Sequence, residues 1–143
     1  VLTRLARLRR RVALRRRGAA AASPDVEAFL HVARQSFVRM QAAWDEADLP
    51  ALETLTTANL LEELRWQLEQ RGPAPNHTEV IKLEARLLSM EELREAFVAS
   101  VEFTGVIREQ LETGAAPFRE LWLLANLKAA GRGWRLARVQ SLS

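Results

Sequence analysis

The chain has 143 residues, about half of them apolar, and no internal repeat, which suits one domain with a proper core. It contains no cysteine, which excludes disulfides, thiolate metal sites and cysteine nucleophiles, and no tyrosine, which removes a common catalytic acid. Its net charge of +3 hides a split: residues 1–24 hold eight of the 21 basic residues and no acid, while residues 25–143 hold the other 13 and all 18 acids, a local +8 against −5.

The first stretch, Val1 to Arg17, is an arginine-rich arm. Leu2, Leu5, Leu8 and Val12 recur at helical spacing, with Arg4, Arg7, Arg11 and Arg15 on the opposite arc; Arg9 and Arg16 fall at the edge of the apolar arc and weaken the pattern. As a helix it would be about 25 Å long. Gly18 to Ser23 follows as a small-residue hinge, so residues 1–22 are expected to be a basic amphipathic arm and hinge ahead of a domain over 23–143. The sequence begins at Val1 rather than methionine and is expected to be a piece of a longer protein, whose upstream part could hold a membrane span.

Ser23-Pro24-Asp25 is a helix start, with a capping hydroxyl, proline at the first turn and an acid near the positive end of the dipole. From there Phe29, Ala33, Phe37, Met40 and Trp44 form one stripe at spacings of four and three, which predicts a long helix to about Trp44. Asp45, Glu46 and Asp48 crowd its negative end, and Asp48 is placed to cap a short helix through Leu49, Leu52 and Leu55. Thr56 or Thr57 caps a third helix carrying Leu60, Leu61, Leu64 and Leu68, stopped by Gly72-Pro73.

The period then changes from helical to alternating. Ile81, Leu83, Ala85 and Leu87 point one way and Lys82, Glu84 and Arg86 the other, a half-exposed strand; Met90 to Ala96 reads as a turn or a single helical turn. Phe97, Ala99, Val101, Phe103 and Ile107 make a second strand. Phe118 to Leu127 is apolar on both faces, as a strand covered on both sides would be. After a turn at AAGRG, Trp134 to Gln140 closes the sheet. The fold class is therefore α+β: a long helix and two shorter helices packed in a curved, four-stranded, mainly antiparallel sheet, a cone that often keeps an apolar cavity.

The segments FLHVARQSFVRMQAAWDEADLPAL, EVIKLEARLL, ASVEFTGVIRE, PFRELWLL and GWRLARVQ, in this order, resemble the Tim44-like domain family. The likeness covers about Ser23 to Ser143 and lies in the ordered set. The family pairs bacterial proteins with the peripheral subunit that tethers the import motor to the mitochondrial inner-membrane translocase. The resemblance implies a nuclear transport factor two-like cone with a large apolar pocket, peripheral attachment to an inner membrane and protein–protein tethering. It places the membrane-associating region in helices ahead of the sheet, where Val1–Arg17 stands, and does not imply that this chain works in protein import.

Three readings of the arm compete. As an interfacial helix it sinks Leu2, Leu5, Leu8 and Val12 into a headgroup boundary while Arg4, Arg7, Arg11 and Arg15 meet anionic phospholipid. Eight arginines at about 1 kcal/mol each set a ceiling of ~8 kcal/mol, half of that if one face alone meets lipid. As a nucleic-acid tether it would show a steep salt dependence, but it carries no aromatic platform for bases. As a solvated linker it would carry basic residues beside a membrane span lying upstream of Val1. The expected partners are an anionic membrane and a protein, or a second copy, meeting the sheet face or the arm; the expected place is the cytoplasmic face of a bacterial inner membrane, peripheral or tethered.

Phe29, Phe37, Met40, Trp44, Phe103, Trp122 and Trp134 could line an apolar pocket for a lipid or other small molecule, although an aromatic stripe at helical spacing is also ordinary core. His31 and His77 stand alone, and with no cysteine they do not make a metal site. The acids at 45–48 lack the ligand spacing of a calcium loop. Glu84 and Glu102 alternate away from the packed side, and no pair of titratable groups converges on the cone, so no catalytic residue, cofactor or metal is expected.

Overall fold

The structure, a computed structural model, describes residues 24–73, 76–109, 112 and 114–142. The arm expected over residues 1–22 lies outside them. Three helices precede four strands: α1 (Pro24–Asp45), α2 (Leu49–Leu55), α3 (Ala58–Arg71), β1 (Glu79–Glu92), β2 (Ala96–Arg108), β3 (Ala116–Leu127) and β4 (Arg135–Ser141). The strands pair in the order β1-β2-β3-β4, antiparallel throughout, as hairpin connections allow.

The helix boundaries follow local chemistry. Leu30, Ala33, Phe37, Met40, Ala43 and Trp44 bury one side of α1, while His31 and Val32 stay exposed on the other. After α1 the chain turns through Ala47, which takes a positive φ of 54°. Asp48 then caps α2, its Oδ1 accepting from Ala51 N at 3.1 Å. Of the two threonines expected to cap α3, Thr57 is the N-cap residue, but its side chain takes no part. The Thr56 hydroxyl donates back to Leu52 O at 2.7 Å, inside α2. The Thr57 N–H is instead used on Leu136 O at 2.9 Å, which pins the α2–α3 junction to β4. Gly72, at φ 70°, ends α3.

Two expectations for β1 are corrected. The strand does not stop before Met90: Met90, Glu91 and Glu92 continue the ladder opposite Ala99, Val98 and Phe97, and the turn is only Leu93–Glu95. Pairing with β2 overrides the helix preference of the MEE sequence. Ile81 does not face the core either. A register shift between Val80 and Lys82 leaves it 48% exposed, and Val80 packs inward in its place.

The two faces of the sheet differ in chemistry. Leu83, Ala85, Leu87, Ala99, Val101, Phe103, Trp122, Leu124, Leu136 and Val139 join the helices in one core. On the outer face Glu102 is buried beneath two guanidinium groups, Arg119 Nη2 at 2.8 Å and Arg86 Nη2 at 3.3 Å. Leu121 is buried there, whereas Leu127, expected to be covered, is 49% exposed.

Gly105 sits opposite Leu83, next to the β1 irregularity, and a Cβ there would overlap the Lys82 carbonyl and press on the Phe118 ring. Backbone cannot retreat as a flexible side chain can. Gly105→Ala is therefore expected to cost roughly 1–3 kcal/mol of unfolding free energy in a urea titration. An equal midpoint for variant and parent would show that β1 can move aside.

Candidate functional site

The interior between α1 and the sheet is an aromatic cluster. The long helix delivers Phe37, the β2 strand Phe103, and β3 both Phe118 and Trp122. Phe37 lies 4.9 Å from Phe103, 5.0 Å from Trp122 and 5.4 Å from Phe118, measured between ring centroids. Phe103 meets Trp122 edge-on at 5.0 Å. These offset and edge geometries are the favourable ones for aromatic pairs. Phe29, at the other end of α1, packs edge-on against Trp134 at 5.0 Å, both half-buried. Met40 and Trp44 complete the buried stripe. Of the seven residues expected to line a pocket, Phe37, Phe103 and Trp122 thus come together, and Phe29 and Trp134 form a separate pair.

Buried polar groups interrupt this interior, and sequence reasoning missed them. Glu120 is 1% exposed, on the helix-facing side of β3 opposite Phe103, and its Oε1 accepts from Trp122 Nε1 at 3.0 Å. The alternation signal was present: Glu120 stands two residues from both Phe118 and Trp122, hence on the same face. Gln41 on α1 is 2% exposed, and among the described residues neither its Oε1 nor its Nε2 has a hydrogen-bond partner; the Trp44 Nε1 one turn later is likewise buried and without one.

A buried amide without a partner bears a desolvation cost of roughly 1–3 kcal/mol. Gln41→Leu removes that cost while keeping similar volume, and is expected to raise stability by about 1 kcal/mol or more in chemical denaturation. A loss of stability instead would mean that the native amide is satisfied by something it binds.

Polar contacts at the far end of α1 hold the helix layer to the start of the sheet. The Arg71 guanidinium lies 5.4 Å from the Trp44 ring centroid and donates through Nη1 to Trp44 O at 2.7 Å, serving the end carbonyls of α1. Asp45 accepts from Thr78 N at 2.6 Å, Thr78 Oγ1 at 2.8 Å and Asn76 Nδ2 at 2.7 Å. The acid turn is thus a structural clasp for the loop entering β1. His31 and His77 are exposed, and among the described residues no group of three His, Cys, Asp or Glu side chains is placed to hold a metal.

The arm residues Leu2, Arg4, Leu5, Arg7, Leu8, Arg11, Val12 and Arg15 lie outside the described residues. No described helix is long and apolar enough to cross a membrane.

A family model described as the Tim44-like domain matches residues 11–141. Two solved structures are similar to this chain. One, the intermembrane space region of chloroplast protein ARC6, is 12% identical, with 79% of this chain and 95% of that chain covered at a TM-score of 0.52. The other is a nuclear transport factor 2 (NTF2-like) superfamily protein from Salmonella enterica subsp. enterica serovar Typhimurium str. LT2. It is 11% identical, with 82% of this chain and 94% of that chain covered at a TM-score of 0.47. No curated protein sequence matches the chain significantly.

Proposed function

The chain belongs to the Tim44-like domain family, and on that premise we propose that it is a non-enzymatic tethering domain that works against a membrane surface. The arm docks on anionic phospholipid at the cytoplasmic face of a bacterial inner membrane, and the folded domain presents itself to a protein partner. The observation that carries this reading is the charge split between the arm, at +8, and residues 25–143, at −5. An acidic body is repelled by an anionic surface, so the arm holds the domain at the membrane while leaving its faces free.

The division of labour suits the domain's chemistry. The buried side of the sheet is committed to its own core, and the two histidines stand exposed and apart from it. The outer face offers half-buried Leu123 and exposed Leu127 on the same side of β3 as the Arg86–Glu102–Arg119 group, with Leu121 buried between them, an apolar patch with a polar rim of the kind protein interfaces use. An acyl chain would enter the aromatic interior only by displacing packed rings, so lipid contact falls to the arm. Liposome co-sedimentation of the full chain and of residues 23–143 on cardiolipin-containing vesicles tests it: the full chain is expected in the pellet and the shorter one in the supernatant. Equal behaviour of the two would remove the arm from the mechanism.

A further inference from the structure

A cavity of about 320 Å³ lies away from the aromatic interior, where the β3–β4 hairpin meets the α2–α3 junction. Its apolar wall is Ala58, Ala125, Leu127 and Ala130. Its charged wall is Arg132 and Arg135, and no acidic residue lines it. Leu127 is one of the large apolar side chains this domain leaves exposed, and this cavity is where it stands.

The two arginines differ in a useful way. Arg135 is fixed: its Nη1 donates to Glu53 O at 2.8 Å and Thr56 O at 3.3 Å, while its Nε–H is buried without a partner. Arg132, in the exposed hairpin turn, has no hydrogen-bond or ion-pair partner among the described residues. One anchored and one free guanidinium on a wall without acids form a site selective for an anion, since a planar guanidinium binds carboxylates through charge-assisted hydrogen bonds. The apolar wall opposite asks for hydrocarbon. The volume sits at the low end for small-molecule sites. Room for about ten waters, at roughly 30 Å³ each, corresponds to a ligand of about ten non-hydrogen atoms.

We propose that this cavity binds a medium-chain alkyl carboxylate, its headgroup on Arg132 and Arg135 and its chain on Leu127, Ala125 and Ala130. The site shares Leu127 with the proposed protein-facing patch but uses no part of the arm, so it and the membrane reading can fail separately. A protein carboxyl terminus would satisfy the same guanidiniums, but the small volume favours a free short chain over a peptide.

Calorimetric titration of the full chain with octanoate, octanol and inorganic phosphate tests the assignment. Octanoate is expected to bind saturably, octanol at least tenfold more weakly, and phosphate without measurable heat. Arg132→Gln is the variant to use, because its side chain holds nothing else in place: its melting temperature is expected to match the parent's while octanoate affinity falls tenfold or more. Three results overturn the proposal: no saturable octanoate binding, octanol binding as tightly as octanoate, or unchanged octanoate affinity in Arg132→Gln. Tight binding of an octanoate-length peptide with a free carboxyl terminus, with octanoate itself silent, would also overturn it in favour of a peptide site.

Discussion

Phe37→Ala is expected to cost about 3–5 kcal/mol of unfolding free energy, the range for removing a buried phenylalanine. The residue is fully buried and is the common neighbour of Phe103, Phe118 and Trp122, so its loss removes three ring contacts together with the hydrophobic term. The neighbours belong to two adjacent strands that are tied to each other by a full ladder, which limits how far they can collapse into the space left behind. Domains of this size are stable by about 5–15 kcal/mol, so the variant would lose a large share of its margin. Urea denaturation followed by tryptophan fluorescence measures it. Trp66→Ala is the matching control: its ring is 61% exposed, and the change is expected within about 0.5 kcal/mol. Similar costs at the two positions would mean that the aromatic cluster is not the centre of the core.

The second large effect concerns the arm. If one helical face meets the lipid, Arg4, Arg7, Arg11 and Arg15 contribute about 1 kcal/mol each, or ~4 kcal/mol together. Replacing all four with glutamine is then expected to weaken binding to anionic vesicles by roughly 10³-fold, because 1.4 kcal/mol is a factor of ten. The same binding should fall as salt rises, since exposed charges are screened over about 8 Å at physiological ionic strength. Vesicle titrations of parent and variant at two salt concentrations measure both effects. A residual affinity within a few-fold of the parent's would show that the apolar side, Leu2, Leu5, Leu8 and Val12, suffices by itself.

The helices were legible because a buried stripe at 3.6-residue spacing leaves a strong trace, and Pro24, Asp48 and Gly72 mark its boundaries. The strands were legible through alternation, but their ends were not. Met90–Glu92 carries helix-favouring residues, and only the partner strand, through the Glu92–Phe97 register, decides its conformation. Ile81 was misread because a bulge shifts the phase by one residue and leaves no mark on the hydrophobic pattern. Long-range polar contacts were out of reach for a different reason: Arg71 meets Trp44, and Asp45 meets Thr78, across 27 and 33 residues, and no local pattern encodes such pairs. Glu120 is the instructive miss. A glutamate in an otherwise apolar run looks like a surface residue until parity is taken literally, and parity places it beside Trp122.

In the proposed function the arm, and not the folded body, carries the domain to the membrane. Co-sedimentation of the full chain with cardiolipin-containing vesicles, alongside residues 23–143 and an RNA competitor, tests this most directly. The full chain is expected to pellet at low salt, to be released as salt rises and not to be displaced by equimolar RNA, while residues 23–143 stay in solution. Pelleting of both forms alike, or of neither, would contradict it.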